Sequence, residues 1–515
     1  MADVSNNQRI AQNSILLSVR MIIVMVISLY ISRITLQNLG IEDFGIYNVV
    51  CGFVAMFTFL SAAMTSGIQR FYNYEYAKSG IEGANKVFIT SIYTQAILAF
   101  FIVLLLESIG LWYINSKMVI PLERMSAAKW IFQISVISLV ITMIQATFDA
   151  AIMAHEKMGL YAFLSILNQV LKLLIVIVLP FLPGDKLITY GFLFFLVTVI
   201  DIFVSALYSR LKFEEIHFSR SFDKKLLKDM VVFSSWNILG KFSLTMREQG
   251  LNMILNLFFG PVVNAARGLA FQVTSALNGF VSNISVAVRP QLTQSYAQGD
   301  RGRSFFLMFT NTKIGYFVLF FLALPVCLEI DFILRIWLGA EVPEYTNTFI
   351  IIVFLITLLN GMQGNVSFVM HANGDLKLYS IVTSLVTLLV LPFGYAALWL
   401  GFSPNSVFFV SLIVTAVNYI ISVLILHKIV AFSIREYFNS VIIPLLIMTI
   451  VSIPIPLLLR LFISDGSLRL IIVTVASCVV TLLSSYYIVL SKNERVFVRR
   501  FVKEKMPFAI RNQNN

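Results

Sequence analysis

The chain has 515 residues, of which 58% are hydrophobic and 12% charged, with 45 Phe, a mean hydropathy of +0.87 and a formal net charge of +12. A soluble protein of this size carries about 25% charged residues, so a soluble globular class is excluded. No basic, aromatic-rich module stands apart from the apolar runs, so nucleic-acid binding is excluded too.

About fourteen stretches reach the roughly 20 apolar residues that a bilayer crossing needs. In chain order they are 13–34, 46–66, 86–109, 128–149, 159–182, 187–209, 230–258, 261–288, 305–329, 345–369, 377–400, 405–427, 438–460 and 467–490. Backbone polar groups in lipid need partners within the segment, so each stretch predicts a helix. The alternation of a membrane barrel is missing. The expected class is an all-α integral membrane protein. The first stretch is interrupted by Arg20, and no small-residue cleavage site precedes Leu39–Gly45, so it reads as a retained span and not as a signal peptide. Cys51, Cys327 and Cys478 are far apart in or beside apolar spans, where they fit neither a disulfide framework nor a zinc site.

Six cations lie near the middle of spans: Arg20, Lys172, Lys241, Arg247, Arg267 and Lys313. A charge at mid-bilayer costs at least about 2.5–3.5 kcal/mol and normally faces a bundle interior or a water-filled path. Helical spacing gathers polar partners around them. Asn13 aligns with Arg20, and Ser165, Asn168 and Gln169 with Lys172. Asn237, Lys241, Thr245, Glu248, Asn252 and Asn256 share one face of the seventh span, while Arg267, Thr274, Asn278, Ser282, Ser285 and Arg289 share one face of the eighth. The expected cavity residues are Arg20, Lys172, Lys241, Arg247, Glu248, Arg267, Asn252 and Asn278, with Arg20 opposite Lys241. A cationic cavity suits phosphate or diphosphate, and its hydroxyl and amide groups suit sugar hydroxyls. Other readings stay open: Lys172 as structural glue, Arg267 and Lys313 snorkelling to headgroups, and Glu248 balancing Lys241 or Arg247. Asp149, Asp201 and Glu107 read as solvated or capping groups at span ends, and His155 and His371 as turn residues.

Most of the 38 Lys and Arg residues fall in segments that an inside N-terminus would place inside, so both termini are expected in the cytoplasm. Arg495–Lys503 alternates cations with apolar residues and suits anionic membrane lipids. Markers recur across the chain: Arg20, Leu39-Gly40, Arg70, Tyr76-Ala77, Gly80 and His155 against Lys241, Phe259-Gly260, Arg289, Tyr296-Ala297, Gly299 and His371. They predict two six-helix bundles in a parallel pseudo-two-fold repeat, 1–229 (with a connector at Arg210–Asp229) and 230–437, followed by two extra helices and a basic tail in 438–515. There is no glycine-rich phosphate loop, metal cluster or large catalytic loop, so neither an enzyme nor a cofactor is expected. Coupling to a sodium or proton gradient is left open.

Three segments carry a resemblance: Leu39-Gly40 with Phe44-Gly45-Ile46-Tyr47, Arg289-Pro290 with Tyr296-Ala297 and Gly299, and the turn His371–Tyr379. Over spans one to twelve the chain resembles polysaccharide flippases of the multidrug/oligosaccharidyl-lipid/polysaccharide exporter superfamily, and the two extra C-terminal spans are typical of the oligosaccharide branch. Val262–Arg267 departs from the glycine-tyrosine form of Phe44–Tyr47. The resemblance implies translocation of an undecaprenyl-diphosphate-linked glycan across the bacterial inner membrane by alternating access. Cavity cations would receive the diphosphate, and membrane lipids and other glycan-assembly membrane proteins would be partners. A cation-coupled multidrug or toxin extruder of the same fold is the alternative.

Overall fold

The computed structural model describes residues 2–219, 221–339, 342–492 and 494–496, with side chains described throughout except at 2–18, 66, 236, 237 and 280–287. Most of the basic segment Arg495–Lys503, and the side chains of Asn13, Asn237, Ser282 and Ser285, lie outside the described residues.

Among the described residues every regular element is a helix. Eleven segments are long and apolar enough to cross a membrane. They differ from the fourteen expected stretches in two places. The expected span 46–66 belongs to a helical run that starts after Gly40, is notched by a turn at Met56-Phe57 and continues to Gly80. The polar stretches 224–259 and 261–297 are helical but fall outside the eleven.

Helix ends follow local chemistry. Asp185 caps Lys186–Lys212 by accepting from the Leu187 and Ile188 amides, and Asp223 caps Lys224–Thr245 through Lys225 and Leu226. Breaks between helices carry left-handed residues that recur. Gly40 (φ 78°) is followed 220 positions later by Gly260 (φ 70°), and Gly80 (φ 61°) 219 later by Gly299 (φ 83°). Glu156 (φ 54°) precedes Gly374 (φ 88°) by 218, and Gly184 (φ 94°) precedes Gly401 (φ 85°) by 217.

The chain forms two compact units. The first comprises Met1–Gly279, Trp337–Val353 and Lys377–Asn418. One core in it centres on Val50, Leu106, Ala128 and Phe132, and a second on Ile68, Tyr72, Phe88 and Ile152. The helix after Gly40 lies against 224–259 and 261–279 at glycines. A Cβ on Gly45 would overlap the Pro261 carbonyl, one on Gly52 would sit 2.6 Å from the Gln249 side chain, and one on Gly268 would sit 2.7 Å from that of Asn48. Gly45 in the Phe44–Tyr47 motif is thus a point of backbone contact.

The second unit comprises Phe280–Ile336, Phe354–Leu376 and Tyr419–Asn515. In it Arg469 bridges Glu329 and Asp465, each at 2.8 Å. Lys313 meets Glu494 at 3.4 Å, with both side chains largely buried. This mid-span cation therefore has a carboxylate partner from just past the last helix.

Candidate functional site

Three cavities of the first unit follow one another along the helix Met158–Val178. One of about 330 Å³ is lined by Arg20, Gln145, Asp149, Tyr161, Ser165, Asn168, Gln169, Asp201 and Ser205. The next, of about 480 Å³, shares Val24 and Gln169 with it and is lined by Ser28, Ser32, Thr35, Asn48, Gln272 and Lys172, among apolar side chains. The third, of about 250 Å³, shares Tyr47, Lys172 and Phe194 with the second. The face Ser165, Asn168, Gln169 and Lys172, set by helical spacing, thus opens onto the first two cavities.

Arg20 donates from Nη1 to Ser165 Oγ at 3.1 Å, and its guanidinium lies 5.0 Å from the Tyr161 ring centroid. Its Nε is buried and has no partner among the described residues. Asp201 accepts from Gln145 Nε2 at 3.1 Å and from Asn168 Nδ2 at 3.2 Å. Ser205 is fully buried and its hydroxyl is unpartnered among the described residues. Lys172 is the one charged side chain among those lining the 480 Å³ cavity, with Nζ 5.6 Å from the Phe194 ring.

The seventh span does not present one continuous polar stripe. Residues Met246–Gly250 form a π turn, and the extra residue in that turn rotates the remainder of the helix. Lys241, before the turn, is exposed and lines none of these three cavities. Within the turn Glu248 pairs with Arg247 at 3.0 Å and with Arg267 at 3.6 Å, and Arg267 also donates to the Glu248 carbonyl. After the turn Asn252 and Asn256 are buried in an amide network. Asn264 donates to Asn252 Oδ1 at 2.8 Å, Asn256 donates to Asn264 Oδ1 at 3.1 Å, and Asn252 donates to the Asn48 carbonyl at 3.1 Å. Asn278 is exposed. The structure therefore brings Arg20 and Lys172 to the cavities, gathers Arg247, Glu248 and Arg267 into a separate ionic cluster, and holds Asn252 in packing.

Asp149 and Asp201, read from sequence as span-end carboxylates, line the 330 Å³ cavity. The helices Met125–Ala154 and Lys186–Lys212 carry Gln145 with Asp149 and Asp201 with Ser205, each pair one turn apart. The i, i+4 spacing that exposed Ser165 to Lys172 was available for these pairs too.

The connector after Lys212 is fastened at one end of this unit. Glu215 is buried and accepts from the Tyr72 hydroxyl, with His155 Nε2 at 2.5 Å from its carboxylate. Asn85 donates to the Glu215 and His217 carbonyls at 2.7 and 2.8 Å. Burial alone would raise the Glu215 carboxyl, but the hydrogen bonds from His155 and Tyr72 hold it below the ordinary carboxylate range. Among the described residues no group of three or more His, Cys, Asp or Glu side chains is arranged to hold a metal.

A bundle of apolar helices around polar, charge-bearing cavities is the build of a membrane transporter, and solved structures share it. The chain matches the lipid II flippase MurJ in an inward closed conformation with a TM-score of 0.68 at 17% identity, covering 95% of this chain and 100% of that one. An inward-facing multidrug resistance MATE family transporter of the MOP superfamily matches with a TM-score of 0.67 at 15% identity, covering 82% and 99%. A MOP superfamily transporter from Pyrococcus furiosus, described as having a binding pocket of reverse polarity, matches at 0.62 and 16%, covering 81% and 95%. The fold is that of the MOP superfamily. No curated protein sequence matches the chain. A family model described as "Polysaccharide biosynthesis protein" matches residues 10–296, and the chain belongs to that family. It is a multi-pass membrane transporter or flippase and not an enzyme.

Proposed function

We propose that the chain is a flippase carrying an undecaprenyl-diphosphate-linked glycan across the bacterial inner membrane by alternating access, with both termini in the cytoplasm. The observation that carries this reading is the 480 Å³ cavity, where Lys172 is the one charged lining group and continuity runs to a hydroxyl- and amide-rich neighbour. A lone desolvated ammonium favours an anionic group strongly, and the polar neighbour offers hydrogen bonds to whatever that group carries. Lys172 and Arg20 are the proposed headgroup ligands. Arg247, Glu248 and Arg267 form an ionic cluster beside them, with Lys241, Asn252 and Asn278 in secondary places. Membrane lipids and glycan-assembly membrane proteins are the proposed partners. The left-handed breaks at offsets of 217–220 support two six-helix repeats, in 1–229 and 230–437, followed by an appendix in 438–515.

Glycan export in cells lacking the chromosomal copy tests the function. Lys172→Met, expressed and inserted at wild-type level, is expected to abolish surface glycan, and undiminished export would refute the reading. A second reading, a cation-coupled multidrug extruder, is favoured by Asp149 and Asp201 in the cavity. It predicts resistance to cationic dyes on expression, which the flippase reading does not.

A further inference from the structure

The two larger cavities have opposite chemistry. The 480 Å³ cavity holds an ammonium and no carboxylate among its lining residues. The 330 Å³ cavity holds two carboxylates with one guanidinium. Among the described residues no ion pair joins Arg20 to Asp149 or Asp201, and Asp149 accepts no hydrogen bond. The charges are thus set around a space instead of being spent on one another.

Ionised carboxylates offer acceptors only, Arg donors only, and Gln, Asn and Ser both. The 330 Å³ cavity carries all three kinds within a volume near the lower end, about 300 Å³, of ligand sites. An oxyanion there would face two negative groups in a poorly screening interior. A ring bearing several hydroxyls would instead donate to Asp149 and Asp201 and accept from Arg20 Nε and the side-chain amides. Ser205, fully buried with an unpartnered hydroxyl among the described residues, adds a further donor and acceptor on the same wall. In a diphosphate-linked glycan the first sugar follows the diphosphate directly, and the two cavities are joined in that order through Val24 and Gln169.

Resting on the flippase reading, we infer that the 330 Å³ cavity is a sugar subsite: Asp149, Asp201, Arg20 and Ser205 bind the first sugar ring of the glycan while Lys172 holds the diphosphate. The cavity so assigned gives the transporter a means of discriminating glycosylated from bare lipid carrier.

Equilibrium binding to the full chain in lipid nanodiscs tests this with three probes: undecaprenyl diphosphate, and the same lipid bearing one hexose or one N-acetylhexosamine. Wild type is expected to bind at least one glycosylated probe about tenfold or more tighter than the bare lipid, the equivalent of one or two charge-assisted hydrogen bonds. Asp201→Asn and Asp149→Asn should bring that ratio towards one while leaving affinity for the bare lipid unchanged. Lys172→Met should weaken all three probes alike. Ser205→Ala, which leaves the carboxylates in place, should lower the ratio by a smaller factor, and it guards against a folding defect in the acidic variants. Bare lipid bound with no preference for either glycosylated probe overturns this inference alone, as does a preference that survives Asp201→Asn. That second result is the one expected of carboxylates serving only ion coupling. Binding of none of the three probes overturns the flippase reading and the inference with it.

Discussion

The first half of the chain and the second are built to the same plan of helix breaks but carry different chemistry at matched positions. Offsets of 217 and 218 align Asp201 with Asn418, Lys172 with Val390, Gln145 with Gln363 and Ser205 with Ser422. In the first half Asp201 accepts from Gln145 and Asn168 beside a cavity. In the second, Asn418 donates to the Thr383 carbonyl at 3.1 Å and to Thr387 Oγ1 at 2.9 Å, and is buried. Gln363 meets Ser422 at 3.0 Å. A charged, cavity-lining arrangement on one side thus has a neutral, hydrogen-bonded counterpart on the other. Repetition of backbone geometry conserves where chains turn and leaves each half free to hold or give up charge.

Five changes would break or sharpen that contrast. Lys172→Met removes the charge Val390 lacks; loss of a buried ligand charge is worth roughly 2–5 kcal/mol, so export is expected to fall at least about thirtyfold. Asn418→Asp would convert the neutral counterpart to an acid facing the Thr383 carbonyl oxygen. An uncompensated buried charge costs about 3–5 kcal/mol, and thermal unfolding in detergent should show a marked loss. A variant as stable as wild type would mean the second half tolerates charge as the first does.

Gly45→Ala would press a methyl group against the Pro261 carbonyl, a strain of about 1–3 kcal/mol. The position 220 residues later, Ala265, already carries that methyl, so the penalty belongs to the first half alone. Heating followed by size-exclusion chromatography should show earlier loss of the monodisperse peak. Thr387→Val, removing the hydroxyl that meets Asn418, should cost about 1 kcal/mol of stability and spare export. The smallest effect is expected at the connector. Glu215 has a lowered folded-state carboxyl, so its stabilisation is present above the ordinary value of 4.5 and is lost as pH falls through the folded value. Glu215→Gln should therefore lower the melting temperature at pH 7, and the gap from wild type should close as pH drops below about 4.5.

The helical class, the break positions and the polar face Ser165–Lys172 were legible in the sequence, because apolar length and 3.6-residue spacing are local properties. Arg20 was legible as a cavity residue for the same reason. The pairing of Arg20 with Lys241 was not, since a π turn at Met246–Gly250 changes the register of the seventh span and no residue type announces it. Asn252 and Asn256 read as pore-lining polar groups, yet amides at helical spacing serve equally to fasten helices, and here Asn264 claims them. Asp149 and Asp201 were misplaced because hydropathy windows end early. The helices run on to Ala154 and Lys212, which puts both carboxylates well inside helical structure.

The π turn at Met246–Gly250 also sets which kind of genetic change this region tolerates. Its five residues occupy a place where an ordinary helix would use four. Substituting any one of them keeps the count. Deleting one would convert the turn to α geometry and swing Leu251–Phe259 about 100° around its axis, carrying Asn252 and Asn256 away from Asn264 and the Asn48 carbonyl. Single-residue deletions between 246 and 250 are therefore expected to be more harmful than alanine at any of those positions, so a deletion scan would locate this turn where a substitution scan would pass over it.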